Sequence, residues 1–308
     1  MSDTACSPVL TRRIVASPAM CGPGSLFFGQ AGDWTWQTVG EACSINTYRA
    51  CTPDGDPSYL AFYYYRVRAS PLVHPYGIAF GDEFDLESRV FQDGSRSVVT
   101  LHRLAPPGAA LPALHPDEFH LAPRRDCLYV ENFNRWLSRS DSDTNQGLVS
   151  RPPADFRPAD LPALPSEHSP RHACGRARHH GTFHPAGLAD HDLLTVAAFH
   201  TTHTVDAARD LNGAGLLYFA SYFSIIDTAL LRLWRELGRS DHAFLRRHLL
   251  DHRLAYFSNA DPGDRIDIAV RLWRHAASLE ETSDVRLTDA VTGRLIAVSS
   301  IRLLPPSV

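Results

Sequence analysis

The chain reads as an α+β protein built twice, with two successive lobes that are each an antiparallel sheet wrapped around one long buried helix. Three observations predict this. A strand motif occurs in both halves with the same internal spacing, each copy follows a long apolar helix, and a proline-rich stretch without periodicity separates the halves.

The motif comes first. Residues 81–91 run Gly81-Asp82-Glu83-Phe84-Asp85-Leu86-Glu87-Ser88-Arg89-Val90-Phe91, and residues 263–273 run Gly263-Asp264-Arg265-Ile266-Asp267-Ile268-Ala269-Val270-Arg271-Leu272-Trp273. Gly, Asp, Asp and Arg coincide, and apolar residues match at four further positions. Alternating apolar and polar residues mark a strand with one buried face, entered here through a Gly-Asp turn. The helices span Leu26 to Cys43, behind Cys21-Gly22-Pro23-Gly24-Ser25, and Leu216 to Leu237, behind Asp210-Leu211-Asn212-Gly213-Ala214-Gly215. Both are apolar on nearly every side, as an enclosed helix must be.

Further strands are expected at Tyr63 to Arg68, at Ser97 to His102, at Phe199 to Thr204 entering the second half, and at Arg294 to Ser299 behind the hairpin signal Val291-Thr292-Gly293. A sheet wrapped around a central helix is the hotdog arrangement, so the predicted class is α+β, double hotdog. Residues 1–150 form the first lobe and 190–308 the second. Residues 151–189 are a Pro/His/Arg-rich linker, with seven prolines between 151 and 187.

Composition narrows the function. The 308 residues are 44% hydrophobic and 21% charged, enough for a proper core. A net charge of -4 offers no basic field to nucleic acid. The Tyr63-Tyr64-Tyr65-Arg66-Val67-Arg68 run reads as a buried strand rather than a base-stacking platform. No apolar run reaches the ~20 residues that span a bilayer; the longest, Leu216 to Leu231, carries Tyr218, Tyr222, Ser224 and Asp227. Met1-Ser2-Asp3-Thr4 has no export signal, so a cytoplasmic protein is expected. Cys6, Cys21, Cys43, Cys51, Cys127 and Cys174 lack CxxC spacing and suit reduced thiols. All 30 basic residues are Arg. Without lysine there is neither a Schiff-base residue nor a P-loop lysine.

Candidate chemistry is spread along the chain. His172, Cys174, His179, His180 and His184 cluster in the linker, away from the ordered scaffold a zinc site requires, so no metal is expected. His200 and His203, three apart on a strand, cannot share one face; one lines a pocket or packs structurally. Asp33, beside Trp34 and Trp36 in an apolar helix, is either a general acid/base with a raised pKa or a hydrogen-bonded structural acid.

The segment Asn212-Gly213-Ala214-Gly215-Leu216-Leu217-Tyr218-Phe219-Ala220-Ser221-Tyr222-Phe223 resembles the signature of hotdog acyl-CoA thioesterases. Their acidic nucleophile or base falls here on Asn212. An amide cannot attack a thioester or take a proton, which tells against ordinary hydrolysis, although Asn212 can still donate a hydrogen bond. In the first half, Met20-Cys21-Gly22-Pro23-Gly24-Ser25-Leu26, Gly32-Asp33-Trp34, Pro57-Ser58-Tyr59-Leu60-Ala61-Phe62 and the Gly81-Asp82 strand resemble the double-hotdog acyltransferase/decarboxylases of polyketide pathways, the leinamycin type. That resemblance covers both lobes and leaves out the linker.

The resemblance implies that methylmalonyl-CoA is decarboxylated and its propionyl group delivered to an acyl carrier protein. Coenzyme A or phosphopantetheine would be the thioester carrier, with no tightly bound cofactor. It also implies a catalytic tyrosine, which position assigns to Tyr59, with Tyr63, Tyr64 and Tyr65 close behind. Tyr59 is then a proton donor or an acyl-accepting nucleophile, though a phenol of pKa ~10 attacks weakly unless neighbouring donors lower it; the alternative is a strand tyrosine in the core. Gly24 and Ser25 in the first lobe, and Asn212, Gly213 and Gly215 in the second, are the candidate donors for a thioester oxygen, at the amino ends of buried helices. Otherwise these turns merely cap the helices.

A thioesterase or dehydratase, and a non-catalytic carrier-protein partner, are the competing readings; neither lobe shows a clear His-plus-acid dehydratase pair. The expected partners are an acyl-CoA and an acyl carrier protein, with no nucleic acid and no membrane. Two fused hotdogs already imitate the usual dimer, so both monomer and homodimer fit.

Overall fold

The computed structural model describes residues 9–141, 144–195 and 197–306. Met1-Ser2-Asp3-Thr4 and Cys6 lie outside the described residues; the other five cysteines are free thiols.

The first lobe runs β1 (Leu10–Val15), α1 (Leu26–Cys43), β2 (Tyr59–Arg68), β3 (Glu83–Gln92), β4 (Ser97–Ala105), a short α2 (Pro116–His120), β5 (Leu128–Arg139) and β6 (Leu148–Ser150). After α3 (Arg171–His180) in the linker come β7 (His191–Leu193), β8 (Phe199–Thr204), α4 (Ser221–Glu236), α5 (Asp241–Leu245), β9 (His248–Tyr256), β10 (Arg265–His275), β11 (Glu281–Asp289) and β12 (Leu295–Leu304). The strand order β1-β3-β4-β5-β2 recurs as β8-β10-β11-β12-β9, all antiparallel. This is a double hotdog. The two expected sheets are joined into one, because β2 pairs with β9 along the lobe boundary.

The repeat extends to individual hydrogen bonds. Gly81 and Gly263 both have positive φ, at 85° and 88°, where a side chain would be strained. Asp82 accepts from the Ala79 amide and Asp264 from the Asp261 amide. Ala16, just after β1, exchanges two backbone bonds with Gly81 and Asp82, as Val205, just after β8, does with Gly263 and Asp264.

Successive residues of each strand point to opposite faces. Leu128 and Val130 pack towards α1 and α4, whereas Cys127 and Tyr129 join a second cluster on the other face. The two helices meet where Phe28 stacks on Phe223, with centroids 3.9 Å apart.

Two local expectations differ from the structure. The second helix begins at Ser221 rather than Leu216. Residues before it bond elsewhere: the Leu217 amide donates to Asn259 Oδ1 at 3.0 Å and the Tyr218 amide to the Asp210 carbonyl at 2.9 Å. A hydrophobic pattern carries no information about such distant partners. The linker, expected to lack periodicity, contains the ten-residue α3 and packs on the outer face of the sheet. Ala177, Cys174, Leu164 and Phe183 cover Tyr64, Val99 and Tyr129 there, while the helix's histidines and arginines point outward. His184 reaches Ser300 Oγ at 2.7 Å.

Among the described residues, no helix is long and apolar enough to cross a membrane, and no group of three or more His, Cys, Asp or Glu side chains is placed to hold a metal.

Candidate active site at the seam of the two lobes

β2 and β9 stay paired only between Tyr64–Arg68 and Asp251–Ala255. Arg66 and Arg253 grip Asp251 across this stretch, at 2.6 and 3.0 Å. Burial alone would raise the Asp251 pKa, but the two guanidinium charges outweigh it and hold the carboxyl well below the usual range. Beyond Tyr64 the strands part. A bulge in β2 shifts its register against β5 between Phe62 and Tyr64, and Phe219 wedges in beside it, its ring stacked on Phe62 at 3.9 Å. Tyr256 Oη donates to the Phe219 carbonyl at 3.1 Å, which holds the wedge from the other strand.

The fork opens into a cavity of about 780 Å³, within the range of small-molecule sites. Tyr59 to Tyr63 form one wall and Tyr256 to Asn259 the other. α1 adds Asp33 and Trp36, the loop after α1 adds Tyr48, Arg49 and Cys51, and the stretch from Asn212 to Phe219 closes the second-lobe side.

Of the residues singled out from the sequence, Tyr59, Asn212 and Gly213 line this cavity together. Gly215 lies behind them. Its φ is +72°, and its carbonyl accepts from Asn145 Nδ2 at 2.9 Å, which pins the turn. Gly24 and Ser25 are elsewhere: Gly24 borders a separate cavity of about 290 Å³. The Gly24 amide donates to Asp227 Oδ2 at 3.0 Å, so a carboxylate of the second lobe already occupies this end of α1. The α4 end lies six residues beyond Gly215.

The donors in the cavity therefore come from a turn, not from helix ends. Asn212 Oδ1 accepts from the Ala214 and Leu216 amides at 3.0 and 3.1 Å. That fixes which way the side-chain amide is turned and leaves Nδ2 as its remaining donor. The Gly213 N–H makes no hydrogen bond among the described residues and no atom crowds its Cα, so it is open to a ligand.

Asp33 and Arg49 are the charged groups among the described lining residues, and none of these residues is a histidine. Asp33 sits on the open stripe of α1 with Leu26, Gln37 and Glu41, at the cavity edge. It makes no hydrogen bond among the described residues, and partial burial pushes its carboxyl up. The nearby Tyr218 phenol is pushed up to about 12, first by burial and then by the Asp33 charge. His203 is structural: its Nε2 bonds Asp210 Oδ2 at 2.7 Å below the Asn212 turn.

The family model for the LnmK N-terminal Hot Dog Fold domain matches residues 11–185, more than half of the chain. The chain belongs to the LnmK hot dog family. No curated protein matches it in sequence. Among solved structures, it is similar to a putative oleoyl thioesterase from Lactobacillus plantarum, with a TM-score of 0.63 and 10% identity, over 99% of this chain and 100% of that one. The 12:0-ACP thioesterase from Umbellularia californica matches at 0.57 and 10%, over 97% and 94%. An acyl-ACP thioesterase from Bacteroides thetaiotaomicron matches at 0.54 and 11%, over 96% and 97%. At these identities the likeness establishes the fold alone.

In this LnmK-type chain the pseudo-twofold predicts a matching fork at the other end of the β2–β9 pairing. That fork is narrowed to the smaller cavity that Gly24 borders, which Asp227 and Phe244 also line. Arg247, 1% exposed, bonds Asp227 Oδ2 at 2.9 Å and the Phe244 carbonyl at 2.7 Å. Its guanidinium lies 3.7 Å from the Phe244 ring centre and 4.1 Å from that of Tyr76, and the His74 and His248 rings pack 4.6 Å apart beside it.

The sequence did not disclose the seam, the rim position of Asp33 or the part played by Tyr218 and Phe219. One signal was present. Gly29 and Gly32 lie inside the apolar helix α1, and both face the incoming second-lobe segment. A Cβ on Gly32 would lie 2.1 Å from Phe219 Cζ. A glycine kept inside a helix against its propensity marks a close approach.

Proposed function

We propose that this protein is an acyltransferase/decarboxylase that takes methylmalonyl-CoA into the seam cavity, releases CO2 and passes the propionyl group to an acyl carrier protein. The observation that carries the reading is that Tyr59 of the first lobe and the Asn212 and Gly213 donors of the second line one cavity whose described residues include no histidine.

Decarboxylation needs an electron sink. The C2–carboxylate bond breaks, its electron pair moves into the thioester carbonyl as an enolate, and CO2 departs. Donors aimed at that oxygen stabilise the charge as it forms, a role that falls to Asn212 Nδ2 and the Gly213 N–H. A proton must then reach C2, a role we assign to the Tyr59 hydroxyl in the cavity wall. The carrier's phosphopantetheine thiolate next attacks the propionyl carbonyl and coenzyme A leaves as the thiolate. Tyr59 carries the acyl group between them if transfer proceeds in two steps. Membership of the LnmK family supports this reading, and so do folds whose names describe action on acyl carrier protein thioesters.

Asp33 favours a second reading. It is a carboxyl at the rim with no hydrogen bond among the described residues; activation of water by it would make the protein a thioesterase. One assay separates the two. The protein is incubated with methylmalonyl-CoA, with and without a phosphopantetheinylated carrier, and CO2, free acid and acyl-carrier are followed by mass. Propionyl-carrier is expected. Free acid that disappears in Asp33→Asn would establish hydrolysis instead, and no turnover would leave carrier binding alone. Tyr59→Phe should lower turnover by at least ten-fold with unfolding unchanged. Asn212→Ala should lower it roughly 10²–10³-fold, the usual cost of one oxyanion donor.

A further inference from the structure

From His168 to Ala189 the chain contains no Asp or Glu, in a protein of net charge -4. The same stretch holds Arg171, Arg176, Arg178 and five histidines. Its middle is a helix: α3 buries Ala177 against the sheet and leaves Arg171, His172, Arg176, Arg178, His179 and His180 exposed. Asp93 neutralises Arg171 at 2.8 Å. Arg176 and Arg178 have no carboxylate partner among the described residues.

This basic face runs to the cavity. The Arg178 guanidinium lies 5.2 Å from the centre of the Phe257 ring, and that of Arg135, also without a carboxylate partner among the described residues, lies 4.6 Å from that of Tyr63. Phe257 and Tyr63 belong to the two opposing cavity walls. Arg49, exposed and likewise unpaired among the described residues, stands at the mouth. A guanidinium stacked on a ring keeps its charge while its orientation is restricted, so these cations are already positioned for a partner.

We propose that the exposed face of α3, continued to the cavity by Arg178 and Arg135, is the docking surface for an acidic acyl carrier domain whose phosphopantetheine arm enters the seam. The inference rests on the carrier-transfer reading and adds the place of contact. Charge complementarity selects an acidic partner and sets its rate of encounter. The extent of the surface selects a protein: α3 alone is about 15 Å long, more than one nucleotide head would cover. The cavity beside it selects a partner that carries a thioester on a flexible arm.

The test uses the full chain and Arg176→Glu/Arg178→Glu, both sites being solvent-exposed, with Arg176→Gln/Arg178→Gln as the milder pair. Transfer from methylmalonyl-CoA to an acidic phosphopantetheinylated carrier protein is followed at low and at physiological salt. The reversed pair should raise the ratio of KM for carrier to KM for methylmalonyl-CoA at least ten-fold. The neutral pair should fall between it and the unaltered protein, and added salt should shrink the difference. An unchanged ratio overturns the proposal. So does a parallel rise in both constants, which would assign these arginines to the phosphopantetheine that both substrates carry, and so does a rise for methylmalonyl-CoA alone, which would assign them to the nucleotide phosphates of coenzyme A. If the unaltered protein shows no turnover, the catalytic reading fails by itself. Calorimetric binding of the same carrier then decides docking: a ten-fold weaker affinity in the reversed pair upholds it, and equal affinity or no binding by the unaltered protein removes it.

Discussion

Gly32→Ala tests how the second lobe shapes the cavity. In the middle of a helix, alanine should gain about 0.5–1 kcal/mol over glycine. Here the new methyl group would stand 2.1 Å from Phe219 Cζ and 2.8 Å from Cε2, far inside the ordinary contact distance. Phe219 cannot yield freely, because its ring is stacked on Phe62 at 3.9 Å and its carbonyl accepts from Tyr256 Oη. Overpacking of this kind costs about 1–3 kcal/mol, and losing the aromatic pair about 0.5–1.5 more. The net expectation is a loss of about 1–3 kcal/mol, read as a lower urea midpoint with unchanged slope. Gly29→Ala is the internal control: its nearest obstacle is Tyr218 Oη at 3.3 Å, the far end of a side chain that can swing. It should be within about 0.5 kcal/mol of the unaltered protein, or more stable, since helix propensity then dominates. Phe219→Leu added to Gly32→Ala should recover part of the loss, a coupling readable in a double-mutant cycle. If Gly32→Ala proves as stable as Gly29→Ala, the wedge is not where the structure puts it.

Three further outcomes are expected. Arg247→Met should cost about 3–5 kcal/mol by leaving Asp227 buried without its cation, and adding Asp227→Leu should restore at least half of that; a double variant no more stable than the single would show that the pair does not hold the narrowed fork. Asp284, buried and pushed up by burial from 3.8 to about 6, keeps its proton in the native state to higher pH than in the unfolded chain. Its contribution to stability is therefore greatest below pH ~4 and is lost as pH rises through ~6, by up to roughly 3 kcal/mol. Asp284→Asn should remove that slope, so unfolding curves for the two proteins should diverge between these pH values, and parallel curves would refute the shift. In the methylmalonyl-CoA assay, Asp33→Asn should leave propionyl-carrier formation within about three-fold if Asp33 takes no part in transfer, and a loss as large as that of Tyr59→Phe would place it in the mechanism.

Much of the scaffold could be read without coordinates because local periodicity encodes which face of an element is buried. α1 occupies Leu26–Cys43 and β8 Phe199–Thr204, both as their patterns predict. The two Gly-Asp strands are related by the pseudo-twofold down to their turn hydrogen bonds. The basic linker was less legible, because α3 buries too little apolar surface to produce a periodic signal.

The site depended on contacts that no local pattern carries. Whether α4 starts at Leu216 or Ser221 is decided by Asn259, 42 residues from its partner Leu217. Whether the α1 end is open or occupied is decided by Asp227, 203 residues from Gly24. The cavity itself exists because β2 and β9, from different lobes, pair for five residues and then separate around Phe219. Sequence alone determined two similar lobes, since burial patterns are local. Only the tertiary structure decided which of the two equivalent forks holds the larger cavity, because that choice rests on what the opposite lobe inserts: an apolar ring against Gly32 at one end, and Arg247 paired with Asp227 at the other.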